Sequence, residues 1–147
     1  MPAKLRRAEA DFADLQAGLA KGRLDFALTV EDAVREADIA VDFVPDELES
    51  KLEIFSMADR MAPPKTILCT PSNALSITDL ASCVYRPERC VAVRGELVRG
   101  AAVRLLHPAA ADERVLYAVG DFLKLLGIEA QMEPDPEAPM LVKNKVR

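Results

Sequence analysis

Ile39-Ala40-Val41-Asp42-Phe43-Val44 runs almost without a polar break and stops at Pro45. A strand of this kind is covered on both faces, as in a parallel sheet. Upstream, Arg23 to Thr29 alternates polar and apolar residues, which predicts a short half-buried strand. Thr29 stands three residues before Asp32, a capping-type start for a helix at about 30–37. Downstream, Leu48, Leu52, Phe55 and Ala58 or Asp59 step round one face of a helix at 46–62, before Pro63-Pro64 ends it.

The same alternation continues along the chain. Thr66 to Thr70 reads as a buried strand, Ser76 to Ser82 as a short helix, and Cys90–Val93 and Ala102–Leu106 as strands. Asp112 opens a helix at 112–126 with Val115, Val119, Phe122 and Leu126 inward, and Gly127 closes it before a strand at 128–132. Glu133 to Pro139 is proline-rich and extended. At the other end, Leu5, Ala8, Phe12, Leu15 and Leu19 form one stripe of a helix over 2–21, stopped by Gly22. Strands alternating with helices give an α/β architecture with a mostly parallel sheet of about six strands. The 147 residues are expected to form a single domain, 1–22 as a helical arm and 23–147 as an α/β body.

Composition narrows the function. The formal net charge of −5 and the few aromatics argue against a general nucleic-acid binder. No apolar run reaches the ~18 residues of a membrane span, and Met1 to Arg7 lacks the apolar core of a secretory signal, so a cytoplasmic protein is expected. Cys69, Cys83 and Cys90 are dispersed, with His107 the only histidine, so neither a disulfide framework nor a metal site is expected.

Val44-Pro45-Asp46-Glu47-Leu48-Glu49-Ser50-Lys51-Leu52-Glu53-Ile54-Phe55 resembles the NAD-binding domain of the 3-hydroxyacyl-CoA dehydrogenases. The resemblance continues through Ala62 to Leu68, Leu75 to Leu80 and Arg86-Pro87-Glu88-Arg89, and returns at Ala138 to Lys145. It implies a partial Rossmann-like fold, NAD as cofactor, and NAD-dependent oxidation of a 3-hydroxyacyl-CoA in fatty-acid β-oxidation. Relative to the family, the first strand, the Gly-x-Gly-x-x-Gly turn and the ribose-binding acid are missing, and no glycine pair here has that spacing. The chain is therefore expected to be an N-terminally truncated relative.

The family's catalytic positions, carried across, are changed. The base histidine falls on Arg94, its orienting glutamate on Leu106, and the substrate-hydroxyl serine on Asn73; Asn144 alone is retained. An arginine side chain stays protonated at neutral pH and cannot serve as the base. Leu97 replaces the asparagine of the histidine motif, and His107, one place beyond the glutamate position, is expected on the opposite strand face.

On the cofactor side Asp46 and Lys51 match the family. They read either as relict NAD contacts or as a helix-terminus acid and an exposed lysine. Phe43 stands where a small residue adjoins the nucleotide, and reads as filling that pocket or as an enlarged core residue. Arg94 reads as an anion clamp, for CoA phosphate or carboxylate, or as a solvated charge; with Arg86, Arg89, Arg99 and Arg104 it forms a basic stretch expected at the surface.

These readings describe a dehydrogenase-like protein that is catalytically inactive on its own and lacks metal, with NAD binding doubtful and acyl-CoA a conceivable ligand. The alternative is a non-catalytic interaction module, or half of a split dehydrogenase completed by a partner chain. Loss of a strand beside 39–44 would leave an open sheet edge, so a homo-oligomer or a partner dehydrogenase chain is expected.

Overall fold

The computed structural model of the chain describes residues 25–135. The helical stripe at 2–21, most of the proline-rich tail and Asn144 lie outside them. Five strands form one sheet in the order β1-β2-β3-β4-β5. They are β1 (Ile39–Val41), β2 (Ile67–Pro71), β3 (Cys90–Arg94), β4 (Ala102–His107) and β5 (Glu129–Pro134). The first three are mutually parallel; β4 runs antiparallel to β3, and β5 is parallel to β4. This is a mostly parallel, Rossmann-like sheet.

Four helices accompany it: α1 (Val30–Val34), α2 (Leu48–Met61), α3 (Ile77–Ala81) and α4 (Glu113–Leu125), with a 3-10 turn at Pro87–Arg89. Their starts follow local chemistry. The Thr29 hydroxyl accepts from the Asp32 amide, Ser76 from Asp79, and Asp112 from Arg114, each satisfying an otherwise orphaned helix donor. Gly127 takes φ +75° at the end of α4, a conformation costly for residues with a Cβ.

Strand alternation sorts the core into two layers. Val91, Val93, Val103 and Leu105 face α4 and pack with Val115, Val119 and Leu123. Leu68, Cys90, Ala92 and Leu106 face the other way and pack with Phe55, Ile77 and Leu80 of α2 and α3.

Two expectations fail here. Residues 25–29 are irregular and exposed, Leu28 fully so, and the strand expected at 23–29 does not form over its described residues. Alternation suits a strand only beside a neighbour that can complete its hydrogen bonds, and none of the described strands lies next to it. Phe43 is 75% exposed, and so is not a core residue.

Candidate functional site

In open α/β sheets the ligand side is at the carboxyl ends of the parallel strands. Here β1 leads into Asp42 and Asp46, β2 into Ser72 and Asn73, and β3 ends at Arg94. Gly95 follows at φ +119°, with Val103 Cγ1 3.1 Å from where a Cβ would stand, so the chain turns sharply away after Arg94.

Hydrogen bonds tie these three strand ends together. Ser72 Oγ donates to Asp46 Oδ1 at 2.6 Å, and the Asn73 amide donates to Asp46 Oδ2 at 2.9 Å. The same Ser72 oxygen accepts from the Leu75 amide at 3.0 Å, closing the loop that leads into α3. Arg94 Nη1 donates to the Ser72 carbonyl at 2.9 Å. Partial burial pushes the Asp46 carboxyl up, but the Ser72 hydroxyl, the Asn73 amide and the charges of Lys51 and Arg94 together hold it below its ordinary range.

Lys51 is not the exposed lysine of the sequence reading. It is 1% exposed, and its Nζ lies 2.8 Å from Asp42 Oδ1. Asp46, read as a helix-terminus acid, instead turns toward the β2 loop; Glu47 occupies the N-cap of α2 without a side-chain cap bond. Asp42 Oδ2 and Thr70 Oγ1 are buried with no hydrogen-bond partner among the described residues.

The structure thus brings Asp46, Asn73 and Arg94 to one place, with Lys51 close enough for its charge to act on Asp46. Leu106 does not join them. It lies opposite Ala92 and is fully buried between the sheet and α2–α3. His107 follows it in β4, where alternation turns its ring to the opposite face, and its Nδ1 is 2.9 Å from the Pro108 carbonyl.

The basic stretch divides. Arg86, expected at the surface, is buried: Nε meets Asp59 Oδ1 at 2.8 Å, and Nη1 and Nη2 donate to the carbonyls of Pro63, Thr66, Asp59 and Ala62. It closes the C-terminus of α2, where a cation complements the helix dipole. Arg89 donates to the Lys65 carbonyl, and Arg104 pairs with Glu133.

The thiols offer no nucleophile at neutral pH in the core. Burial pushes both Cys69 and Cys90 up to about 12, while Cys83 is exposed. Among the described residues no cluster of three or more His, Cys, Asp and Glu side chains could hold a metal ion. No helix among them is long and apolar enough to cross a membrane.

The sequence reading found Asp46, Asn73 and Arg94 but missed Ser72 and Asp42. Asp42 carried a signal: an acid in an otherwise apolar, buried run needs a counter-charge. Ser72 carried none beyond its place at a strand end.

A three-element cluster at the carboxyl edge of a mainly parallel sheet is the ligand-side arrangement of a doubly wound nucleotide-binding domain. Residues 3–94 match the family described as "3-hydroxyacyl-CoA dehydrogenase, NAD binding domain", and the chain belongs to that family. It is 35% identical over 69 residues to a probable 3-hydroxybutyryl-CoA dehydrogenase of Bacillus subtilis, covering 47% of this chain and 24% of that one. It is 36% identical over 80 residues to an L-carnitine dehydrogenase of Burkholderia mallei, covering 52% and 25%. The match thus spans about a quarter of these relatives' length.

Among solved structures, a diketoreductase superposes with a TM-score of 0.74 at 22% identity, covering 94% of this chain and 55% of that one. The (S)-3-hydroxybutyryl-CoA dehydrogenase of Ralstonia eutropha does so with 0.68 at 20% identity, covering 74% and 39%. These likenesses establish the fold.

Proposed function

We propose that this chain is a dehydrogenase-family protein that does not oxidise 3-hydroxyacyl-CoA on its own. The observation that supports this reading is Arg94 at the end of β3, with its guanidinium on the Ser72 carbonyl at 2.9 Å, at the residue to which the resemblance carries the family's base. A guanidinium is already protonated at neutral pH and accepts no further proton, so the hydroxyl proton has no acceptor there. Leu106, at the counted position of the orienting glutamate, is buried in the core and adds no acid.

The cofactor side supports the same reading. NAD is the family's cofactor, and Asp46 and Lys51 are the positions that match its contacts. Lys51 would hold a nucleotide only after giving up Asp42, which would leave that carboxylate buried and unpaired, a cost of several kcal/mol. Arg94 and Asn73 could still hold an anionic group of an acyl-CoA, as donors rather than as acid–base groups.

The test is NADH titration by calorimetry, followed by acetoacetyl-CoA reduction, at neutral pH. The expected result is no turnover and no saturable micromolar NADH binding. Turnover that survives Arg94→Ala would overturn the reading by revealing another base.

A second reading, an interaction module that meets another dehydrogenase chain or a second copy of itself, is favoured by one observation. Among the described strands β1 has a single neighbour, β2. Co-purification with an intact dehydrogenase would support the first form, and complete separation in pull-downs would remove it.

A further inference from the structure

An apolar groove runs between α1 and α2. A cavity of about 180 Å3 is walled by Val30 and Val34 of α1, Val41 of β1, and Ile54, Phe55 and Ala58 of α2. A second, of about 310 Å3, reaches Val44, Pro45 and Met57, and the two share Val30 and Ile54. A concave apolar surface continuous over two cavities gains free energy when another apolar surface covers it.

We infer that the chain's own N-terminal segment, residues 2–21, covers this groove as a helix, with Leu5, Ala8, Phe12, Leu15 and Leu19 inward. The described residues begin at Asp25, five before Val30, which lines both cavities, so the segment joins the body at the groove itself. Gly22 to Thr29, fully extended, reaches about 26 Å, enough for a helix to turn back along the groove. Leu5 to Leu19 spans about 21 Å of helix, against about 12 Å for Ser50 to Ala58 on the α2 wall. The stripe is long enough to line the whole of it.

The tether selects this occupant over a separate chain. A segment held by a short linker meets the groove at an effective concentration of order mM, above that of a second copy in dilute solution. A helix of this length is marginal in water alone, and its stripe stabilises it only when buried. Charge agrees. Glu31 and Glu36 at α1 and Glu49 and Glu53 of α2 are exposed beside the groove, while Arg35 is taken up by Asp32. Lys4 stands next to Leu5 and one turn before Ala8, at the border of the stripe, where it can meet these acids.

Docked there, the arm covers the exposed Ala33 and the half-buried Val30, Ile54 and Met57, the apolar surface nearest β1. Another chain then reaches this face only after the arm lifts. The inference goes beyond the catalytic reading and does not depend on it, since the groove and the stripe are the same whether or not the chain binds NADH.

The test uses the full chain with a nitroxide on Glu53→Cys, beside the groove, in a Cys83→Ser background that leaves only the buried Cys69 and Cys90. Magnetic resonance signals of Phe12, Leu15 and Leu19 are expected to broaden, while those of Leu125, on α4 across the sheet, stay sharp. Leu15→Asp with Leu19→Asp is expected to abolish the broadening at Phe12. It should also speed amide exchange over residues 8–19 about tenfold or more, with exchange in β3 unchanged. Met57→Glu, in the half-buried wall, is expected to do the same from the groove side. Sharp arm signals in the spin-labelled parent would overturn the proposal, as would arm exchange that neither variant alters. So would broadening that persists when label and observed arm are on different molecules, since a second copy then fills the groove. Turnover or NADH binding bears on the catalytic reading alone.

Discussion

Arg94 donates to the backbone carbonyl of Ser72 at 2.9 Å, while the hydroxyl of the same Ser72 donates to Asp46 at 2.6 Å. One residue at the end of β2 thus joins the β3 arginine to the β1 loop acid. The cluster is held by its own members. Lys51, whose charge acts on Asp46, is itself held by Asp42 at 2.8 Å.

Restoring the histidine alone is not expected to restore turnover. Arg94→His gives an imidazole at the strand end, but Leu106 supplies no carboxylate to orient it. Acetoacetyl-CoA reduction by the variant is expected to stay at background. The substitution also gives up the guanidinium bond to Ser72, at a cost of about 1 kcal/mol in urea unfolding.

The buried pair of Lys51 and Asp42 answers differently to single and double substitution. Lys51→Met leaves Asp42 at 9% exposure without its counter-charge, a loss of about 3–5 kcal/mol. Replacing both, as Lys51→Met with Asp42→Leu, is expected to recover most of that loss. A double-mutant cycle by urea denaturation measures the coupling.

Arg86→Lys is expected to behave almost as badly as Arg86→Ala. A lysine keeps the charge but cannot reach Asp59 and four carbonyls at once, since those bonds use the planar fork of the guanidinium. Both variants should lose about 3 kcal/mol or more, with thermal melting as the measurement.

Asp46 makes stability depend on acid. Its pKa in the folded chain lies below its ordinary 3.8, so on acidification the unfolded chain takes up the proton first. Its contribution is complete well above pH 3.8 and is lost as pH falls through the folded value. In Asp46→Asn, urea midpoints measured from neutral pH downward should fall less steeply below pH 4 than in the parent chain.

Much of the fold was legible in the sequence, because it rests on local chemistry. The apolar runs of β1, β2 and β3, the caps at Thr29, Ser76 and Asp112, and the glycine after α4 each act within a few residues. Helix and strand periodicity and capping are properties of neighbours in the chain, and the residues at the three strand ends could be placed from them and from the resemblance.

Tertiary structure decided what depends on partners far apart in sequence. Alternation at 23–29 promised a strand, yet a strand exists only where a neighbour completes its ladder, and residues 25–29 form none. Arg86 looked like a surface charge, and Lys51 like either an exposed lysine or a relict cofactor contact, yet both are buried, because Asp42 and Asp59 with the surrounding carbonyls compensate them there. Phe43, read as filling the nucleotide pocket or as an enlarged core residue, stands in the open. Pattern determines which residues can be covered. Only packing brings the group that covers or neutralises each one, since the free energy of burying a charge or a backbone edge resides in that distant partner.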